Sequence, residues 1–389
     1  MFEVFLFLNS YLALPHIFPY LIVSMTKKNL KGFNLSELQA FVEGLGEKKY
    51  RAVQLYSWLY AKAAQNFDEM TDISKDFRVA LNDSAAISNL QPVAQSVSTD
   101  GTTKFLFSLE DGLAIESVLI PSAKKISGED KRLTLCVSTQ VGCPLDCKFC
   151  ATGAMGFLRN LTAGEIIDQV IQVQRNSAKR ITNLVYMGMG EPFLNYENVM
   201  KSIDIINDGR GLNIGARHIT ISTAGYADRI RQLADEEHPV KLALSLHSLD
   251  NDKRTKLMPI TKKFPVDTLI EALDYYYHKK RSRPTFEYIL FDGFNDTAAD
   301  IKAFVKLSRR IPCKVNLIPF HSISFMHPSG IGASLKPTPA PRIEAFAAAL
   351  READITVMVR SSSGQDIQAA CGQLAVIESK SQPRNTEGV

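Results

Sequence analysis

The sequence predicts an α/β protein, a partial (β/α)6 barrel preceded by a small helical module and a short antiparallel β meander. Three observations carry this expectation. From Arg132 onward, short apolar strands alternate with amphipathic helical stretches, the grammar of parallel βαβ units. Between 89 and 131 apolar residues recur with a period of two, broken by Asp100-Gly101 and Asp111-Gly112, both hairpin turn signals. Between 26 and 88 the period is helical. The 389 residues provide ample length for a buried core. Hydrophobic residues make up 45% and charged residues 22%, which excludes a disordered or fibrous chain. Lys and Arg number 45 against 41 Asp and Glu, a net charge of +4. That balance permits a nucleic-acid partner without arguing for one.

Residues 1–25 stand apart, almost uncharged and rich in Phe, Leu and Ile. Glu3 precedes the apolar run, Lys27 and Lys28 follow it, and Pro15 and Pro19 interrupt it. This order suits neither a signal peptide nor a spanning helix. An over-extended start is favoured over an accessory helix or an anchor, and no stable membrane association is expected. In the module 26–88, Ser36 and Gln39 form a capping-box pattern, and a second helix is expected from near Glu47. Lys48, Lys49 and Arg51 cluster at that helix start. Such a cluster can hold a nucleic-acid phosphate, or it is a solvated charged face.

The meander is expected over 93–98, 103–109 and 113–120, with a polar loop over 122–130. Barrel strands are expected at 133–137, 183–187, 218–222, 241–246, 285–290 and 315–318, with a last strand at 356–359. Helices fall between them, for example 163–175, with Thr162 and Glu165 as its capping box, and 196–207. In such folds chemistry collects at the C-terminal ends of the strands. The domains are therefore 26–88, 89–131 and 132–375, with a disordered tail from 376 to 389.

Four of the six cysteines lie within fifteen residues: Cys136, Cys143, Cys147 and Cys150. Clustered thiols in a long chain point to a metal or catalysis in a reducing, cytoplasmic compartment. Cys143, Cys147 and Cys150 have three and then two residues between them, directly after a predicted strand. Three thiolates on a short loop can hold three corners of one [4Fe–4S] cluster per chain, leaving one iron open to a small ligand. Zinc is the alternative, but it takes four ligands, and no second pair stands at suitable spacing. Gly188-Met189-Gly190-Glu191-Pro192 follows the second barrel strand, where glycine lets the backbone approach a ligand and Glu191 can accept from an ammonium group. Ser222 ends the third strand and Ser245-Leu246-His247 the fourth. Asn316 sits inside an apolar strand, where a buried amide must find partners.

The pattern Cys143-x-x-x-Cys147-x-Phe149-Cys150 on the first loop of a βα barrel resembles the radical S-adenosylmethionine superfamily. With Gly188-Met-Gly-Glu-Pro, Ser245-Leu-His, Asn316-Leu-Ile-Pro and Asp366-Ile-Gln-Ala-Ala-Cys371-Gly-Gln-Leu, the chain resembles its RlmN/Cfr family of adenosine methyltransferases. The resemblance implies a radical S-adenosylmethionine barrel, a [4Fe–4S] cluster and S-adenosyl-L-methionine as cofactors, and methylation of carbon 2 of an adenosine in 23S rRNA and in tRNAs. It places cofactor contacts at Gly190, Glu191, Ser222, Ser245, Leu246, His247 and Asn316. It makes Cys371 the residue that is methylated and then attacked by a 5′-deoxyadenosyl radical. The resulting carbon radical adds to the base and links protein to RNA. Cys136 then releases the base by forming a transient disulfide with Cys371, and Glu116 is the matching proton acceptor. An electron donor such as flavodoxin or ferredoxin, and a monomer, are also implied. The alternatives are methylation at carbon 8 of the rRNA adenosine and a non-catalytic, metal-bearing RNA-binding protein.

Overall fold

A computed structural model describes residues 27–122, 132–360 and 362–376. The leading segment 1–25, most of the loop 122–130 and the tail beyond 376 lie outside the described residues.

Three helices, α1 (Leu35–Gly44), α2 (Tyr50–Tyr60) and α3 (Lys75–Ser84), form the leading module. The meander follows as β1 (Gln91–Val97), β2 (Thr103–Ser108) and β3 (Ala114–Pro121). Then come β4 (Leu133–Cys136), α4 (Ala163–Arg175), β5 (Asn183–Tyr186), α5 (Tyr196–Asn207), β6 (Ile219–Thr223), α6 (Ala227–Asp235) and β7 (Lys241–Ser245). Two helices, α7 (Asn251–Leu257) and α8 (Val266–Lys280), precede β8 (Thr285–Leu290). Then α9 (Ala298–Arg310), β9 (Lys314–Pro319), α10 (Ala340–Glu352) and β10 (Thr356–Val359) complete the fold.

Among the described residues, β1 to β10 form one sheet in strict sequence order. Strands β4 to β10 are parallel throughout. The meander is antiparallel, and β3 continues it onto β4 with Val118 opposite Cys136. The sheet stays open, since β10 and β1 are its two ends. This is the expected partial barrel, built from six strand–helix units and a closing strand. Parallel strands leave all their C-terminal ends on one rim.

The first helix begins differently from the sequence expectation. Asn34, not Ser36, is its cap: Asn34 Oδ1 accepts from Glu37 N at 2.9 Å, and Glu37 Oε2 accepts from Asn34 N at 2.8 Å. Asparagine is as good a cap as serine, and Ser36 only donates to the Asn34 side chain. Helix α2 starts at Tyr50 rather than near Glu47, so Lys48 and Lys49 precede it. At α4 the expected box between Thr162 and Glu165 is present.

The module is fastened to the barrel by a buried ion pair. Lys31 Nζ lies 2.7 Å from Asp168 Oδ1 on α4, with both side chains almost completely buried. Asp168 also accepts from Leu90 N, at the entry to the meander. Beside it, Gly32 and Gly164 touch backbone to backbone, so a Cβ on Gly32 would stand 2.5 Å from Gly164 N. No helix among the described residues is long and apolar enough to cross a membrane.

Removing one partner of a buried pair strands the other charge. Asp168→Ala should therefore lower unfolding free energy by about 3–5 kcal/mol in urea denaturation. A loss below about 1 kcal/mol, the range of exposed pairs, would contradict this fastening role.

Candidate active site

The first cysteine loop is an excursion from a small hairpin. Gln140–Gly142 pairs antiparallel with Phe157–Asn160, and Cys143 N donates to Gly156 O at 2.8 Å to close its base. Cys143, Cys147 and Cys150 therefore sit on one short loop over the strand rim. Two outside bonds hold that loop. Lys148 N donates to Leu257 O at 2.9 Å, and Ala151 N to Gly372 O at 2.7 Å.

The three thiols line a cavity of about 150 Å³. Gly190, Glu191, Ser222, Ser245, His247 and Cys371 share its wall, as do Phe149 and Glu287. Leu246, Asn316, Cys136 and Glu116 are not part of that wall. Leu246 is fully buried in the core. Its N donates to Glu287 O at 3.0 Å, and its carbonyl accepts from Arg254 at 3.0 Å.

Each polar wall residue has a definite role in the fold. A Cβ on Gly190, at φ +99°, would stand 2.5 Å from Gln140 Cβ, so this glycine lets the loop after β5 press on the stem of the cysteine loop. Glu191 is buried and ties two rim loops together. Its Oε1 accepts from Phe193 N at 3.0 Å and its Oε2 from Ala224 N at 2.7 Å. Ser222 and Ser245 meet at 3.4 Å between their hydroxyls. His247 adopts φ +54°, and its Nδ1 accepts from Ile289 N at 3.0 Å. Burial, with Arg254 adding to it, takes the imidazole down to about 3, so the ring is neutral with its proton on Nε2.

Glu287 is a site residue that sequence reasoning missed. Strand register places Ser245, Glu287 and Asn316 side by side on β7, β8 and β9. Asn316 Nδ2 donates to Glu287 Oε1 at 2.8 Å, which answers the question of the buried amide's partner. Arg360 Nη2 lies 3.7 Å from the same oxygen. Glu287 Oε2 is buried and has no hydrogen-bond partner among the described residues. A lone Glu in a strand reads as a wet-face residue, and only the lateral register reveals it.

Cys371 reaches the cavity on the segment after β10. Ser98 Oγ donates to Asp366 at 2.6 Å, Gly364 N to Asp100 Oδ2 at 3.1 Å, and Thr152 Oγ1 to Leu374 O at 2.6 Å. Cys136, at the end of β4, is buried. Burial, with a smaller push from Cys371, raises its thiol to about 12. All six cysteines are free in this structure, and the Cys136–Cys371 disulfide implied by the resemblance is a transient one. Burial holds Cys136 as the thiol, the less reactive form. Glu116 is buried rather than on a wet face. It pairs with Lys104 Nζ at 2.9 Å and accepts from Ala375 N at 3.0 Å, and burial raises its pKa from the ordinary value. In the module, Lys49 lies 3.6 Å from Glu43 and Arg51 3.7 Å from Glu47.

As a donor set, three thiolates on one short loop suit the separate corners of an iron–sulfur cubane, whereas zinc takes four ligands that converge on one point.

Residues 28–87 match the family described as the ribosomal RNA large subunit methyltransferase N-terminal domain, and residues 137–307 match the radical SAM superfamily. A protein of Thermotoga sp. (strain RQ2) named "Probable dual-specificity RNA methyltransferase RlmN" is 46% identical over 355 residues, 91% of this chain and 99% of that protein. The chain belongs to the RlmN family of radical S-adenosylmethionine methyltransferases. "Dual-specificity RNA methyltransferase RlmN" of Syntrophobacter fumaroxidans is 45% identical over 347 residues, 89% of this chain and 97% of that one. The crystal structure of a radical SAM methyltransferase from Sphaerobacter thermophilus matches with a TM-score of 0.82 at 41% identity, covering 89% of this chain and 99% of that one. The RlmN family is one of enzymes, and its radical SAM chemistry implies a [4Fe–4S] cluster and S-adenosylmethionine.

Glu191 gives this site a pH signature. Burial lifts its carboxyl from 4.5 to about 7, against the pull of the Ala224 and Phe193 N–H groups. The folded protein thus keeps a proton that the unfolded chain releases, so stability falls as pH rises through that window. Across it, iron-free wild type should lose about 3 kcal/mol relative to Glu191→Gln in denaturant titrations. Parallel stability profiles for the two proteins would contradict the assignment.

Proposed function

We propose that this chain methylates carbon 2 of an adenosine in 23S rRNA and of an adenosine in tRNAs. It would use S-adenosyl-L-methionine and a [4Fe–4S] cluster held by Cys143, Cys147 and Cys150. The observation that supports this most is the meeting of Cys371 with those three thiols in one cavity, although more than 200 residues separate them. The relatives' shared name, a dual-specificity RNA methyltransferase, supports a substrate range of more than one RNA.

Carbon 2 of adenine is electron-poor, so a methyl group cannot pass to it directly from a sulfonium. A protein thiol at the cavity wall offers a way round. Cys371 accepts a methyl group at sulfur and holds it within the site, and that carbon then bonds to the base. When bound, the cluster supplies the single electron that starts the carbon–hydrogen chemistry. Gly190, Glu191, Ser222, Ser245, His247 and, through Glu287, Asn316 hold the cofactor's polar groups. The backbone of Leu246 keeps this row in place.

The adduct must then be broken. Once carbon 2 has lost its ring proton, the Cys136 thiolate attacks the Cys371 sulfur, the sulfur–carbon bond breaks, and the released carbon takes up a proton to become the methyl group of the base, leaving a transient disulfide. Burial holds Cys136 protonated at rest, so its proton leaves only when the adduct is in place. Arg360 is charge-coupled to both cysteines and favours their thiolates. Glu116 is the proposed proton acceptor, and moving its carboxylate off Ala375 N or Lys104 would free an oxygen for that task. RNA would approach over the module 26–88. An external low-potential donor such as flavodoxin or ferredoxin would supply electrons to a monomeric, cytoplasmic enzyme.

Two tests follow from the thiol roles. Cys147→Ala should lose most iron after anaerobic reconstitution, because a three-thiolate site has no spare ligand. Full iron content would contradict the cluster assignment. Cys136→Ala should still take up methyl on Cys371 and attack RNA, then stall as a protein–RNA crosslink. On a denaturing gel it should run as a shifted band that nuclease collapses. A Cys136→Ala enzyme that turns over normally without a crosslink would contradict the covalent route.

A further inference from the structure

Arg254, on α7, is completely buried. Its guanidinium donates only to neutral oxygens. Nε reaches Leu246 O at 3.0 Å, Nη1 reaches Thr261 Oγ1 at 2.7 Å, and Nη2 reaches Ser245 O at 3.1 Å and also Ala224 O. Three other buried charges have an opposite neighbour: Lys31 has Asp168, Glu116 has Lys104 and Glu287 has Arg360. Among the described residues Arg254 has no carboxylate partner. Taking a cation out of water is costly, and neutral acceptors return only part of that cost.

The surroundings indicate where the missing anion belongs. The C-terminal end of α7 is bonded to the cysteine loop through Lys148 N and Leu257 O. The Arg254 fork holds the carbonyls of Ala224 and Ser245, next to the cavity residues Ser222, Ser245 and His247. Lys148, bonded at the end of α7, is the residue after Cys147, and Leu257 stands three residues after Arg254 on the same helix. Arginine stays protonated when buried, and its planar fork fixes where the charge sits.

We propose that Arg254 is the built-in counter-ion of the iron–sulfur cluster, a fixed positive charge that offsets the three thiolates and favours the one-electron-reduced form. This rests on the cluster reading above. Reduction brings one electron from an external donor and makes the site more negative by one charge, with no proton moving to or from Arg254. A nearby cation in a water-poor site stabilises the more negative state more, and net charge is one of the levers that set cluster potential. Arg254 touches no reacting atom. It acts through the cluster's charge and is a positioning residue.

The competing account makes Arg254 a structural rivet between the loops after β6 and β7. Two substitutions separate charge from rivet. Arg254→Gln removes the charge, and Arg254→Lys keeps it while losing most of the fork. Each protein is reconstituted anaerobically with iron and sulfide, assayed for iron, and titrated with dithionite while the reduced-cluster electron paramagnetic resonance signal is followed. Arg254→Gln should lose at least about tenfold in its equilibrium constant for reduction, about 59 mV towards lower potential for one electron. Arg254→Lys should stay within about threefold of wild type. Equal shifts in both variants, or no shift in Arg254→Gln, overturn the proposal. If Arg254→Gln does not retain iron, the comparison moves to iron content. Loss in Arg254→Gln alone supports the counter-ion, and equal loss in both variants overturns it. A wild-type protein that takes up no iron contradicts the cluster reading itself, a failure distinct from either.

Discussion

Docking of the segment after β10 onto the meander is the contact on which the cavity depends. The sheet does not close on itself, so a gap separates β10 from the antiparallel strands. Segment 364–376 spans that gap. Asp366 is held by Ser98 and Thr99, Gly364 by Asp100, and Ala375 by Glu116. At its middle, Gly372 O accepts from Ala151 at the end of the cysteine loop. The segment therefore brings Cys371 and the three loop thiols into one cavity. Open barrel, meander and C-terminal segment are parts of one device. Without the meander the segment has nowhere to bind, and without the gap it could not reach the rim.

That cavity collects buried polar groups whose costs are offset in different ways. Glu191 is satisfied by two backbone N–H groups, Glu287 by Asn316 and Arg360, and His247 by remaining neutral. Glu287 Oε2 remains unsatisfied among the described residues. His247 also holds a left-handed backbone conformation that costs of order 1–3 kcal/mol. Unsatisfied polar atoms and local strain of this kind concentrate where a ligand completes the set. The lone guanidinium of Arg254 belongs to the same pattern, since it is buried among neutral oxygens alone.

Much of this was legible in the sequence because period and spacing are local properties. Every barrel strand was marked by a short apolar run, and helices such as Ala163–Arg175 by their caps. The three-thiol loop was legible because its cysteines lie on one short stretch. What the sequence concealed depends on neighbours distant in the chain. Glu287 becomes a site residue only when strand register sets it between Ser245 and Asn316. Arg254 sits in the run Asn-Asp-Lys-Arg-Thr-Lys-Leu, which reads as a solvated charged face, and only the packing of α7 buries it. The cap at Asn34 was missed because two overlapping patterns compete there and backbone geometry chooses between them. The occupation of Glu116 by Lys104 and Ala375 depends on the same long-range docking that places Cys371.

The central claim is that Cys371, set among the cluster thiols, delivers a methyl group to carbon 2 of adenosine in RNA. Its most direct test is mass spectrometry of nucleosides from the 23S rRNA and tRNA of cells lacking this gene, complemented with wild type or with Cys371→Ala. The account predicts that 2-methyladenosine disappears in the deletion, returns with wild type and stays absent with Cys371→Ala. Persistence of 2-methyladenosine in the deletion, its return with Cys371→Ala, or restoration of 8-methyladenosine in its place would contradict the account.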